Sequence, residues 1–90
     1  MDIYRFIIKG KVQKVFYRKS VSQNAMKAGY QGTIKNLPDG TVEVYAVLLD
    51  DELNDFLALL RQGSFLSEVS DIEYTIANEH KLIYDGFVVL

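Results

Sequence analysis

Lys11, Gln13, Lys14 and Arg18 lie within nine residues of "GKVQKVFYR", between a strand-like run and a helix-like run. The stretch holds donors and no acid, cysteine or histidine. Such a set suits an anion. N–H groups at a helix start are unpaired and sit at the positive end of the helix dipole. Arg18, in the first turn, adds a guanidinium able to grip phosphate with two parallel hydrogen bonds. Asn36, eighteen residues after Arg18, offers a neutral acceptor and a donor, suited to holding a water. A phosphoryl group bound here needs little else if its leaving group is already good. An acyl phosphate departs as a carboxylate, stable at neutral pH without protonation, so positioning and charge stabilisation suffice.

The elements that must position these residues follow from periodicity. In "IYRFIIK" Tyr4, Phe6 and Ile8 alternate with Arg5 and Lys9, a strand with one fully buried face. Tyr17, Val21, Ala25 and Ala28 form one helical stripe, and Gly29 is its expected stop. "YQGTIKN" and "TVEVYAVL" read as strands joined into a hairpin by "LPDG". Asp50 or Asp51 is the expected cap of a second helix with stripe Leu53, Phe56, Leu57 and Leu60, ended by Gly63. "DIEYTIA" alternates again, and "GFVVL" is a short last strand.

The order βαββαβ with right-handed crossovers predicts a ferredoxin-like α/β sandwich: an antiparallel sheet, two helices on one face, and a short C-terminal strand. Strand one and strand two then run the same way. The 10–17 loop, Arg18 and Asn36 should meet at one edge, with Asn36 on the helix side because Ile34 shares its parity.

Composition narrows the classes. Ninety residues, 49% apolar and 24% charged, predict a single domain over 1–90. No apolar run approaches the roughly 20 residues of a membrane span, and "MDIYRF" starts with an acid, so neither membrane nor export is expected. Zero cysteines remove disulfides, thiol catalysis and thiolate metal sites, and fit a cytoplasmic setting. The net charge of −2 argues against nucleic acid as a partner. His80, the single histidine, reads as a solvated loop residue; the "DDE" run at 50–52 reads as helix capping rather than a metal site. No P-loop pattern occurs.

"GKVQKVFYR" (10–18) resembles the acylphosphatase signature G-x-V-Q-G-V-x-F-R, and "GTIKNLPDGTVEV" (32–44) resembles that family's second motif. "LRQGSFLSEV" is similar to its helix-two exit, so the resemblance covers nearly the whole chain. It implies hydrolysis of acyl phosphates to carboxylate and phosphate, with no metal or cofactor. Arg18 would bind phosphate and Asn36 would orient the attacking water. The loop of Val12, Gln13, Lys14, Val15, Phe16 and Tyr17 would complete the substrate cradle through backbone amides, with Gln13 either supporting the loop or touching ligand. A small-molecule substrate and a monomer are expected.

Two positions depart from the signature. Tyr17 replaces Phe, adding a hydroxyl, and Lys14 replaces the second Gly. If position 14 requires φ > 0, Lys costs about 1–2 kcal/mol; if not, it adds a cation near the anion. Two alternatives to the enzyme follow. One is a catalytically weakened binding module of the same fold. The other is an RNA-binding βαββαβ domain, disfavoured because only Tyr45 would present an aromatic on the open sheet face, with Glu43 beside it.

Overall fold

The structure is a computed structural model, and it describes residues 1–83 and 85–90. The elements run β1 (Asp2–Lys11), α1 (Tyr17–Lys27), β2 (Gln31–Asn36), β3 (Val42–Leu48), a 3-10 turn (Asp50–Glu52), α2 (Leu53–Gln62), β4 (Glu68–Ile76) and β5 (Phe87–Val89). The sheet order is β4-β1-β3-β2-β5. The first four strands pair antiparallel, the ferredoxin-like arrangement, while β5 adds to the β2 edge in parallel.

The alternation in β1 is realised as expected: Phe6 and Ile8 are fully buried and Tyr4 nearly so. Both helices cover that face. Phe56 of α2 meets Phe6 with ring centroids 5.1 Å apart, and Val21 and Ala25 of α1 are fully buried in the same core. The opposite face carries the Arg5–Glu43 ion pair at 2.7 Å. There His80 lies flat on Tyr45, centroids 3.7 Å apart and planes 7° from parallel, so it is a packed residue and not the solvated one expected. A planar imidazole hides its faces on an aromatic ring more readily than in water.

Two further expectations are corrected. Ala28 is exposed, because α1 ends at Lys27 and the chain has begun to turn toward Gly29, whose φ is 84°. Neither Asp50 nor Asp51 caps α2 with its side chain; Glu52 Oε1 instead accepts from the Leu49 N–H at 2.8 Å, closing a 3-10 turn ahead of the helix. Gly63 does end α2, with φ 52° and its N–H on the Leu59 carbonyl.

Register places the site. Ile8 pairs with Val42, and Val42 pairs with Asn36, so the three form one row across β1, β3 and β2. Ile8 and Val42 are fully buried under the helices. The row puts Asn36 on the helix-covered side, at the end of the sheet where β1 runs into α1. At that end the β1–β4 register shifts between Lys9 and Gly10. Gly10 has φ 127°, and a Cβ there would collide with the Glu68 carbonyl and the Ser70 amide of β4. Only glycine permits this bulge, which turns the chain out of β1 toward α1.

Candidate active site

The connection from β1 to α1 is pinned by alternate residues. Val12, Val15 and Tyr17 are buried at 1%, 5% and 1% exposure. Lys14 and Phe16 are exposed, and both adopt the left-handed conformation, φ 61° and 62°. Position 14 therefore does require positive φ, and Lys14 carries about 1–2 kcal/mol of strain, as does Phe16. Burying each of Val12 and Val15 contributes roughly 1.5–3 kcal/mol, enough to hold the strained turns in place.

Polar contacts fix the loop to its neighbours. Gln13 Nε2 donates to the carbonyls of Leu37 and Thr41, both at 2.8 Å, so its side chain braces the β2–β3 turn. Asp39 tightens the same turn, accepting from the Thr41 N–H at 3.0 Å and hydroxyl at 2.6 Å; these bonds hold its carboxyl below the usual range. Ser64, just past α2, donates its hydroxyl to the Val15 carbonyl. Tyr17 donates its hydroxyl to the Leu60 carbonyl at 2.7 Å. That carbonyl belongs to the last turn of α2, where main-chain acceptors lack helical partners. Burial pushes the Tyr17 phenol well above its ordinary value. The hydroxyl that separates Tyr17 from the signature's Phe thus works toward α2 and not toward a ligand.

Above the loop lies a cavity of about 400 Å³, walled in part by Lys14, Phe16, Arg18, Lys19, Asn36 and Val89. Arg18 and Asn36 thus share one pocket, as topology required. Among the described residues three cations line it and no Asp or Glu side chain does, although the chain as a whole has net charge −2. The first helical bond of α1 runs from Ser20 N–H to Phe16 O, so the N–H groups of residues 17–19 lack helical acceptors. Arg18 Nη1 donates to the Leu90 main-chain oxygen at 3.2 Å, which settles the guanidinium beside the end of β5.

Asn36 differs from the other polar residues here. Its Oδ1 is buried without a hydrogen-bond partner among the described residues. A buried acceptor left unpaired costs about 1–3 kcal/mol.

The family model for acylphosphatase matches residues 4–89. This chain belongs to the acylphosphatase family. Among the acylphosphatases it resembles, that of Methanocella arvoryzae is 42% identical over 69 residues, covering 77% of this chain and 78% of the relative. That of Bacillus licheniformis is 38% identical over 84 residues, 93% of this chain and 89% of the relative. The crystal structure of acylphosphatase from Bacillus subtilis superposes with a TM-score of 0.87 at 33% identity, covering 100% of this chain and 99% of that one. Both stretches that resemble acylphosphatase motifs, 10–18 and 32–44, supply walls of the one cavity.

Lys19, Ser22, Gln23 and Val89 also line this cavity and were not foreseen. Ser22 lies four residues after Arg18 on the same helix face, a spacing visible in the sequence. Val89 enters only because β5 pairs with β2 at Ile34, two residues before Asn36. Among the described residues no group of three or more His, Cys, Asp or Glu side chains is placed to hold a metal ion, and no helix is long and apolar enough to cross a membrane.

Proposed function

We propose that this chain hydrolyses acyl phosphates to a carboxylate and inorganic phosphate by direct attack of water. The observation that carries the reading is that one cavity is lined by both Arg18 and Asn36, whose Oδ1 is buried without a hydrogen-bond partner among the described residues. The phosphoryl oxygens sit among Arg18 and the N–H groups of the 12–18 loop. The Asn36 side-chain amide holds the water by a hydrogen bond, with a lone pair of the water oxygen facing phosphorus. The new P–O bond forms as the bond to the acyl oxygen breaks. The leaving electron pair stays on the carboxylate, and the two protons of water end on phosphate, giving RCOO⁻ and H₂PO₄⁻. No residue has to protonate the leaving group, in keeping with a cavity lined by neither acid nor histidine.

Phosphate release from benzoyl phosphate tests this, with inhibition by inorganic phosphate measured alongside. Arg18→Ala should lower turnover by about 10³-fold or more and weaken phosphate inhibition, since it removes charge stabilisation. Asn36→Ala should lower kcat by about 10²-fold with phosphate inhibition retained, since it acts on the water. Equal loss of phosphate inhibition in both variants would contradict these roles.

The second reading, a weakened binding module, draws on the strained Lys14. It predicts phosphate binding without turnover in the wild type, and turnover restored by Lys14→Gly. The RNA-binding reading has less support, because the Tyr45 face that a base would stack on is taken by His80.

A further inference from the structure

Phe16 stands between two cavities. One is the cationic pocket; the other is a groove of about 250 Å³ lined by Val15, Phe16, Ser20, Ser64, Phe65 and Leu66, none of them charged. Phe65 is 101% exposed, Phe16 68% and Leu66 51%. Large apolar residues exposed singly are ordinary. These three converge on one groove that opens beside the phosphate pocket.

Phe16 is also an unusual residue for its place. It occupies the N-cap of α1 at φ 62° with no side-chain cap, where Asn, Asp, Ser or Gly is favoured. Among the described residues its ring stacks on no other ring. An aromatic held in a strained conformation and turned outward gains nothing inside the fold, and strain of this kind gathers where ligands are clamped. The facing wall is fixed as well: Ser64 donates its hydroxyl to Val15 O and its N–H to Ser67 Oγ at 2.9 Å, pinning the segment that carries Phe65 to the cradle loop.

We propose that this groove is the acyl subsite, and that the substrate is an acyl phosphate with a bulky apolar acyl group, aromatic or branched aliphatic. The inference rests on the acyl-phosphate reading above. An acyl phosphate has one dianionic end and one end set by its acyl chain. With the phosphoryl group among Arg18 and the loop amides, the acyl chain passes over Phe16 and lies against Phe65 and Leu66. A second charge on the acyl chain would lose water there and meet no opposite charge among the six lining residues.

Phenacylphosphonate and acetonylphosphonate, in which a methylene replaces the bridging oxygen, read the subsite without turnover. Titration calorimetry on the whole protein should show phenacylphosphonate binding about tenfold tighter, as expected for partial burial of a phenyl ring in place of a methyl. Phe65→Ser, at a fully exposed position, should bring the two affinities within about twofold by weakening the phenacyl compound alone. Arg18→Ala should weaken both alike. Equal affinities in the wild type, or a preference that survives both Phe65→Ser and Leu66→Ser, would overturn the proposal. So would loss of self-association or of vesicle binding in Phe65→Ser with phenacylphosphonate affinity unchanged, which assigns the groove to a second copy or a lipid surface. Tenfold preference without phosphate release from benzoyl phosphate would support the subsite and overturn the hydrolysis.

Discussion

The side-chain amide of Gln13 donates to the Leu37 carbonyl at 2.8 Å, one residue beyond Asn36. The same nitrogen reaches Thr41 O, so one side chain couples the cradle loop to both legs of the β2–β3 turn. Gln13→Ala should destabilise the fold by about 1–2 kcal/mol, the value of two part-buried hydrogen bonds. It should also lower kcat more than it weakens phosphate inhibition, because Asn36 loses its brace while Arg18 keeps its own. Urea unfolding and the split between kcat and phosphate inhibition check both.

At Lys14 strain and charge make separate predictions. Relief of the left-handed conformation by Lys14→Gly should stabilise the protein, by at most about 1 kcal/mol once the added chain entropy of glycine is set against it. Loss of the ammonium should weaken phosphate binding by a few-fold. Lys14→Asn tolerates the same φ and removes the same charge, so it should match the glycine variant in phosphate affinity. A lower melting temperature for Lys14→Gly would show that residue 14 is not strained.

Tyr17→Phe restores the motif residue but strands the Leu60 carbonyl. Stability should fall by about 1–2 kcal/mol, with the melting temperature down by roughly 4–8 °C per kcal/mol in a domain this small. Affinity for inorganic phosphate should be unchanged, as the hydroxyl points at α2. The pH dependence has a definite sign. Burial raises the folded phenol above its unfolded value of about 10, so its contribution is whole below that pH and is lost as pH rises toward the folded value. The wild-type advantage over Tyr17→Phe should therefore shrink above pH about 10. A difference that stays constant to the alkaline limit would remove Tyr17 as the titrating group.

Asn36→Ala should separate activity from stability. The variant discards a buried, unpaired acceptor that costs about 1–3 kcal/mol, set against the modest packing of a half-buried side chain. Its melting temperature should equal or exceed that of the wild type while turnover falls. A clear loss of stability would mean that the amide is paired within the protein.

Much of the scaffold was legible because it depends on near neighbours in the chain. Tyr4, Phe6 and Ile8 declare their face by alternation, "LPDG" declares a turn, and Gly29 and Gly63 declare helix ends. The meeting of Arg18 with Asn36 was legible too, since crossover handedness and strand parity leave one end of the sheet for both. Misreadings came where a local signal had two outcomes. Ala28 continues a helical stripe that the chain does not follow past Lys27, and Glu52, not an aspartate, reaches back to close the turn before α2.

The sequence alone therefore determined the order of elements, the buried face of β1 and the meeting of Arg18 with Asn36 at one cavity. Tertiary structure decided the rest. The positive φ of Lys14 is imposed by the burial of Val12, Val15 and Tyr17 around it, a constraint no property of lysine announces. His80 lies on Tyr45 through a pairing thirty-five residues apart. Lys14, Arg18 and Lys19 are already neighbours in the chain, but only folding brings Asn36 and Val89 to them in one cavity. The Tyr17 hydroxyl finds Leu60 only when α1 and α2 lie side by side. Periodicity and turn chemistry act over a few residues, whereas these contacts are set by sheet register and helix packing, which bring distant residues within reach.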